Sequence, residues 1–276
     1  MVEVAYEVLL GRRVDDVGRE TALNNLRSGA WSPGDLAASL MGSGEFRRGR
    51  HFSGRMLGAS LHASRCEFVR SLPPGRRILD LGGTNLGASE GAIVSMGYPY
   101  SFESLTIIDL PVDERHEIYQ AGPNVERVET SKGPVYYRYH SMTDLSGLEQ
   151  GSVDLVYSGQ SIEHVTPEEG RTVIESVYGL LAPGGHIALD TPNGRVTRVQ
   201  QPQFIDPDHK VEYTLPELTE MLTGAGFEIV DCKGTNLATS SVASGRFDAD
   251  EVAGNAGLYW QAEDCYLLCL VARKPG

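Results

Sequence analysis

A chain of 276 residues with a formal net charge of −13 is too acidic to be drawn to a nucleic-acid polymer, because such partners are held by basic surface. With 41% hydrophobic and 22% charged residues it can bury a sizeable core, as one large domain or as one domain with a small companion. The four cysteines (Cys66, Cys232, Cys265, Cys269) lack C-x-x-C spacing, and neither a leader nor a membrane-length apolar run is legible, so the expectation is a cytoplasmic protein with free thiols, no structural zinc and no membrane partner.

Residues 1–50 predict a small helical module. "VEVAYEVLLGR" carries apolar residues at helical spacing and stops at Gly11; "DDVGRETALNNLRSG" and "SPGDLAASLMGSGEF" follow, with Ser32 as N-cap and Pro33 at the first helical position. Residues 51–72 predict a bridging helix that ends before Pro73-Pro74. From 73 to 276 the chain reads as one domain. Its strands are "RRILDLG", "SLTIIDL", "PVYYRYHS", "SVDLVYSG" and "GGHIALDTPN", and its helices include "EEGRTVIESVYGLLAPGG" and "TLPELTEMLTGAGF". That alternation predicts an α/β fold with a mostly parallel sheet. "FEIVDCKG" and "CYLLCLVARKP" predict two closing strands forming an antiparallel C-terminal edge, with a long loop between them.

The first strand ends in Asp80, followed by Gly82, Gly83 and Gly87 and then a helix-like segment. A turn of this kind lets a ligand approach the backbone closely, and a helix N-terminus behind it favours anionic groups. G-G-T-N-L-G does not fit the G-x-G-x-x-G of a dinucleotide site. Asp109, at the end of the second strand, is placed to accept the hydroxyls of a ribose, a device shared by nicotinamide and S-adenosylmethionine enzymes.

Two later stretches separate those classes. "GSVDLVYSGQSIEHV" has Asp154 at the entrance of a strand and a polar cluster at its end, and "VYGLLAPGGHIALDTPN" is a helix, a Pro-Gly-Gly turn and a strand. In this order the chain resembles the class I S-adenosylmethionine-dependent methyltransferases, of Rossmann-like fold, over roughly residues 73–230. The N-terminal pattern resembles the DUF4214 type of helical module, which implies packing or interaction. The methyltransferase resemblance implies S-adenosyl-L-methionine as cofactor. On it, Asp80, Gly82, Gly83 and Thr84 hold the amino-acid part, with Thr84 standing where the family has a second glycine. Asp109 takes the ribose, with Leu110 against the adenine; Ser141 or the backbone of Met142 reaches the adenine amino group, with Asp144 as the alternative; Ser158, Gly159 and Gln160 line the methionine end. Asp144, before a turn, reads as a capping residue ahead of a ligand, and Asp154 as structural.

At the acceptor end, methyl transfer to a hydroxyl benefits from a base near neutral pH. His164 and Glu163 after the fourth predicted strand, His140 after the third, Asp190 at the end of the fifth and His209 in "FIDPDHKVEYT" are the candidates, His164 first and His209 second. Glu163, His164, Asp190, Asp208 and His209 are alternatively able to hold a divalent metal such as Mg²⁺. The whole-chain pattern is similar to the sugar O-methyltransferases of mycobacterial methylmannose polysaccharide synthesis. That implies a small carbohydrate substrate, the 1-OH of a short mannose oligosaccharide, for which Tyr119, Tyr213, Tyr259 and Trp260 are candidate aromatic faces. Another small metabolite such as a phenol or quinone, a nicotinamide dehydrogenase and a non-catalytic interaction protein are the rival readings. A homodimer is left open.

Overall fold

The computed structural model describes residues 1–10, 13–41, 43, 50–85, 88–115 and 124–276. Gly11, Gly87 and Tyr119 lie outside the described residues. The chain divides into two compact units, Met1–Ser60 and Leu61–Gly276.

The first unit contains α1 (Val2–Leu10), α2 (Asp16–Arg27) and α3 (Pro33–Met41). Helix α2 starts where Asp15 accepts the Gly18 amide at 2.8 Å. At the start of α3, Ser32 and Asp35 cap each other: the Asp35 amide donates to the Ser32 hydroxyl (3.2 Å) and the Ser32 amide to the Asp35 carboxylate (2.8 Å). Val2, Val14, Ala22, Leu36 and Leu40 form a small core of their own. A fourth helix, α4 (Arg50–Arg70), contains the division between the units.

The second unit is built on nine strands: β1 (Arg77–Leu81), β2 (Ser104–Asp109), β3 (Arg127–Glu129), β4 (Pro134–Tyr139), β5 (Val153–Gly159), β6 (Leu181–Pro192), β7 (Glu228–Leu237), β8 (Leu258–Tyr259) and β9 (Cys265–Arg273). Their order is β3-β4-β2-β1-β5-β6-β9-β7-β8. The central five, β4 through β6, are mutually parallel, and β9 runs antiparallel to both β6 and β7. The two closing strands therefore pair as the sequence suggests, but β9 lies inside the sheet between β6 and β7. Cys265 to Ala272 are all buried, as in a strand covered on both faces, and the strand's lateral place is set by its pairing with both β6 and β7.

Alternation along β1 divides the core. Leu79 and Leu81 pack under α6 (Pro167–Leu180) and α8 (Leu215–Gly224), while Ile78 packs with Phe68 and Val69 of α4 and with Ile93 of α5 (Ala92–Ser95) on the other face. Between α6 and α8 along the chain lies α7 (Gly194–Gln200), capped by Asn193. The long loop expected before β9 contains two six-residue helices, α9 (Thr239–Ser244) and α10 (Ala249–Gly254).

Among the described residues, the helix that follows the glycine turn is α5, a single turn beginning at Ala92 after Gly91 at φ +84°. The first residues of this short helix meet the turn, the Ala92 amide donating to the Gly83 carbonyl at 2.8 Å.

Candidate cofactor and acceptor site

The chain leaves β1 for β2 and β4 on one side and returns to β5 and β6 on the other, so the topological switch lies beyond the ends of β1 and β5, where sheets of this kind take ligands. The register brings the strand ends level: Leu81 opposes Ile108 and Ser158, Asp109 opposes Tyr139, and Gly159 opposes Asp190.

The turn after β1 is shaped by what surrounds it. Gly82 adopts φ +76°, and a Cβ there would meet Ser161 Cβ at 2.7 Å. A Cβ on Gly83 would overlap the Asp80 carboxyl group. The turn is laced to β2 by the Gly82 amide, which donates to the Ile108 carbonyl at 2.8 Å. The Thr84 amide donates to Asp109 Oδ2 at 3.1 Å and the Leu110 amide to Asp109 Oδ1 at 2.7 Å. Both Asp109 oxygens are thereby fixed at the mouth of the turn with further lone pairs to offer. Arg115 Nε lies 3.9 Å from Asp109 Oδ1 and donates to the Leu110 carbonyl at 2.8 Å, its guanidinium lying over the Tyr139 ring. Leu110 itself is exposed, unusual for a leucine at the end of a central strand.

Asp80 is fully buried, and among the described residues no side chain hydrogen-bonds its carboxyl group. Burial pushes its pKa up to about 8, against a lowering influence from the Ile93 backbone.

Beyond β5 and β6, Asp190 is a buried hub. It accepts from Arg65 Nε at 2.6 Å, from the Tyr157 hydroxyl and from Gln160 Nε2 at 2.9 Å. Burial and the Asp190 charge hold the Tyr157 hydroxyl well above its ordinary pKa. Gln160 sits at φ +55° with its amide on the Asp190 carbonyl. Its side chain is thus committed to Asp190, and the Ser158 hydroxyl is paired with that of Ser161 at 2.6 Å.

A second cluster follows. Glu163 is fully buried; its Oε2 accepts from the Thr191 hydroxyl at 3.0 Å, and its Oε1 meets no donor from another described residue. Burial raises the Glu163 pKa to about 7. The His164 and His209 rings meet edge to face, 4.9 Å between centroids. His209 Nδ1 lies 2.9 Å from Glu212 Oε1. Burial works against the charged form of His209, yet the hydrogen bond to Glu212 and the nearby Glu163 carboxylate leave its pKa raised; His164, desolvated and beside His209, is lowered. The ligand atoms of Glu163, His164 and His209 all lie within 4.8 Å of one another.

The structure thus brings Gly82, Gly83, Thr84 and Asp109 into one lip, and Glu163, His164 and His209 into one cluster. His140 stands apart: its Nδ1 is 3.0 Å from the Ser141 carbonyl at the end of β4, with β2 and β1 between it and β5, about 14 Å at three strand spacings. The Ser141 hydroxyl closes a turn with Thr143 at 2.8 Å, and Met142 packs against the core. Asp144 caps Ser146, and Asp154 accepts the Arg76 and Arg77 amides, a structural tie between β5 and β1. Asp190 belongs to the Arg65 network. Tyr213 is buried, Tyr259 donates to the Ala256 carbonyl, and Trp260 is exposed with Lys233 over its ring. A cleft of about 400 Å³ between α6 and α8, lined by Arg171, Glu175 and Tyr213 among others, shares no residue with either lip or cluster. Sequence reasoning missed Arg65, Thr191 as a partner of Glu163, and Glu212. Only Glu212 had a local signal, standing three residues after His209.

Known proteins bear on this site. Residues 86–189 match the Methyltransferase domain family. The "Probable S-adenosylmethionine-dependent methyltransferase" of Mycolicibacterium smegmatis is 33% identical over 97 residues, 35% of this chain and 37% of that protein, so the chain spans little over a third of that relative. The "Ubiquinone biosynthesis O-methyltransferase" of Xanthomonas axonopodis pv. citri is 27% identical over 192 residues, 63% of this chain and 73% of that protein. Among solved structures, a Thermotoga maritima S-adenosylmethionine-dependent methyltransferase, described as a possible histamine N-methyltransferase, superposes with a TM-score of 0.55 at 15% identity, covering 79% of this chain and 92% of that one. The sheet order and these matches define a Rossmann-like α/β fold of the class I methyltransferase kind. Residues 86–189 thus resemble a methyltransferase domain, and the likeness to the solved structure is one of fold. Among the described residues no helix is long and apolar enough to cross a membrane.

Proposed function

We propose that the protein transfers the methyl group of S-adenosylmethionine to a hydroxyl of a small acceptor. The observation that carries the reading is Asp109, both of whose oxygens are fixed by the Thr84 and Leu110 amides at the mouth of the Gly82-Gly83 turn. A carboxylate so held accepts two ribose hydroxyls without reorganising. The exposed Leu110 offers the adenine an apolar face, and the turn admits the amino-acid end. The acceptor oxygen attacks the sulfonium methyl in line, the carbon–sulfur bond breaks, S-adenosylhomocysteine leaves, and the hydroxyl proton is lost at the Glu163–His164–His209 cluster.

A sugar hydroxyl is the acceptor class this reading takes first, with the 1-OH of a short mannoside as its most specific form; it rests on the whole-chain sequence pattern. A phenol or quinol is the second reading, favoured by the likeness to the Xanthomonas O-methyltransferase. The first 50 residues serve in packing or interaction, outside the chemistry. Incubation of the intact chain with labelled S-adenosylmethionine and separate pools of mannose oligosaccharides, phenols and quinols tests this. Label in a mannoside, read by mass spectrometry, supports the first reading. Label only in an aromatic pool replaces it with the second. No label in any of these pools, with label entering a parallel pool of small amines, overturns O-methylation.

A further inference from the structure

We propose that Glu163, His164 and His209 are the protein ligands of a divalent transition-metal cation. The three come from two separate stretches, the turn after β5 and the segment before α8, and their ligand atoms lie within 4.8 Å of one another. Two metal–ligand bonds of about 2.1 Å place their donor atoms up to ~4.2 Å apart, so small side-chain rotations close the set on one ion.

Three features point to a ligand rather than to a chance grouping. Among the described residues no other side chain or backbone group bonds the buried Glu163 Oε1, while Oε2 is held by Thr191, so one oxygen is anchored and the other left open. An unsatisfied carboxylate oxygen in the interior is costly, and a cation removes that cost. His209 donates Nδ1–H to Glu212, which leaves Nε2 as a lone pair; a carboxylate behind the imidazole is the usual outer partner of a metal-bound histidine. Glu212 is itself fixed by the Thr197 hydroxyl and the Ile205 amide, so this outer partner is held in place. Finally, the two rings meet edge to face beside that open oxygen, an arrangement that two imidazolium cations would oppose and one shared cation would satisfy.

Two imidazoles and one carboxylate favour Mn²⁺, Co²⁺ or Zn²⁺ over the all-oxygen sites of Ca²⁺ and Mg²⁺. Three protein ligands leave positions open. A cation there would polarise an acceptor hydroxyl and ease loss of its proton. That role rests on the proposed methyl transfer; the binding itself does not.

The test uses the intact chain, stripped with chelator and dialysed, titrated with Mn²⁺ by calorimetry and with Co²⁺ by visible absorption. One Mn²⁺ per chain and a Co²⁺ d–d band are expected. Glu163→Gln and His209→Ala should each weaken Mn²⁺ at least tenfold, and Glu212→Gln, which touches only the outer partner, by about 10–100-fold. Retained binding of S-adenosylhomocysteine shows that each variant is folded; His164→Ala replaces any that fails this control. Absence of Mn²⁺ binding at millimolar concentration, or unchanged affinity in the folded variants, overturns the proposal. A chain that binds Mn²⁺ but not S-adenosylmethionine upholds the site and overturns the transfer reading instead.

Discussion

Gly83 and Asp80 occupy each other's space: any side chain at 83 would run into the Asp80 carboxyl group. The glycine is therefore set by a neighbour three residues back, in the strand that leads into the turn, and not only by access for a ligand. Gly83→Ala should destabilise the fold by about 1–3 kcal/mol, the usual penalty for overpacking. Combining it with Asp80→Ala should recover part of that loss, so the two substitutions should be strongly non-additive in urea unfolding. Simple addition of the two effects would mean that the turn yields elsewhere.

Asp80 should also leave a mark on the pH dependence of stability. Burial raises its pKa from 3.8 to about 8 in the folded chain. The folded state then holds a proton that the unfolded state has released between about pH 4 and pH 8. Its contribution is greatest below pH 4 and is lost as pH rises through 8, at up to about 1.4 kcal/mol per pH unit from this one group. Asp80→Asn lacks that slope. Unfolding free energies of the two proteins from pH 5 to 8 should diverge, with the wild type falling relative to the variant. Parallel curves would show that Asp80 is ionised in the folded chain.

Arg65 reaches Asp190 across 125 residues of sequence and is the cation beside that buried carboxylate. Arg65→Ala leaves Asp190 with Tyr157 and Gln160 only, and breaking a buried pair in this way costs roughly 3–5 kcal/mol. Arg65→Ala combined with Asp190→Asn should regain much of that stability because the stranded charge is gone. Chemical denaturation of both variants decides the matter, and no recovery in the double variant would refute the charge argument.

The parts of this protein that follow from local pattern were readable in the chain. β1, β2 and β5 stand where apolar runs close on Asp80, Asp109 and Gly159, and α6 where Thr166 and Glu169 form a capping box around Pro167. Elements too short to show a period were not: β3 and β8 have three and two residues, and α9 and α10 six each. The placement of β9 inside the sheet depends on which strand covers which, and a run of buried residues does not say. In the site, Asp109 and the Glu163-His164 pair announced themselves by following strands. Arg65 did not, since its partner is set by the packing of α4 and nothing near it in sequence marks it. Gln160 was read as a cofactor contact from its position after β5; that its side chain is already held by Asp190 depends on a strand 30 residues further along.

The most direct test of the account is a calorimetric titration of the intact chain with S-adenosylhomocysteine, alongside Asp109→Ala and the shape control Asp109→Asn. Asp109 is expected to hold the ribose, so the wild type should bind one equivalent. Asp109→Ala should bind roughly tenfold to a hundredfold more weakly, the loss of about 1.5–3 kcal/mol from a charged hydrogen-bond acceptor. Asp109→Asn should fall between the two. A wild type that binds no S-adenosylhomocysteine, or a folded Asp109→Ala variant with unchanged affinity, would contradict the account.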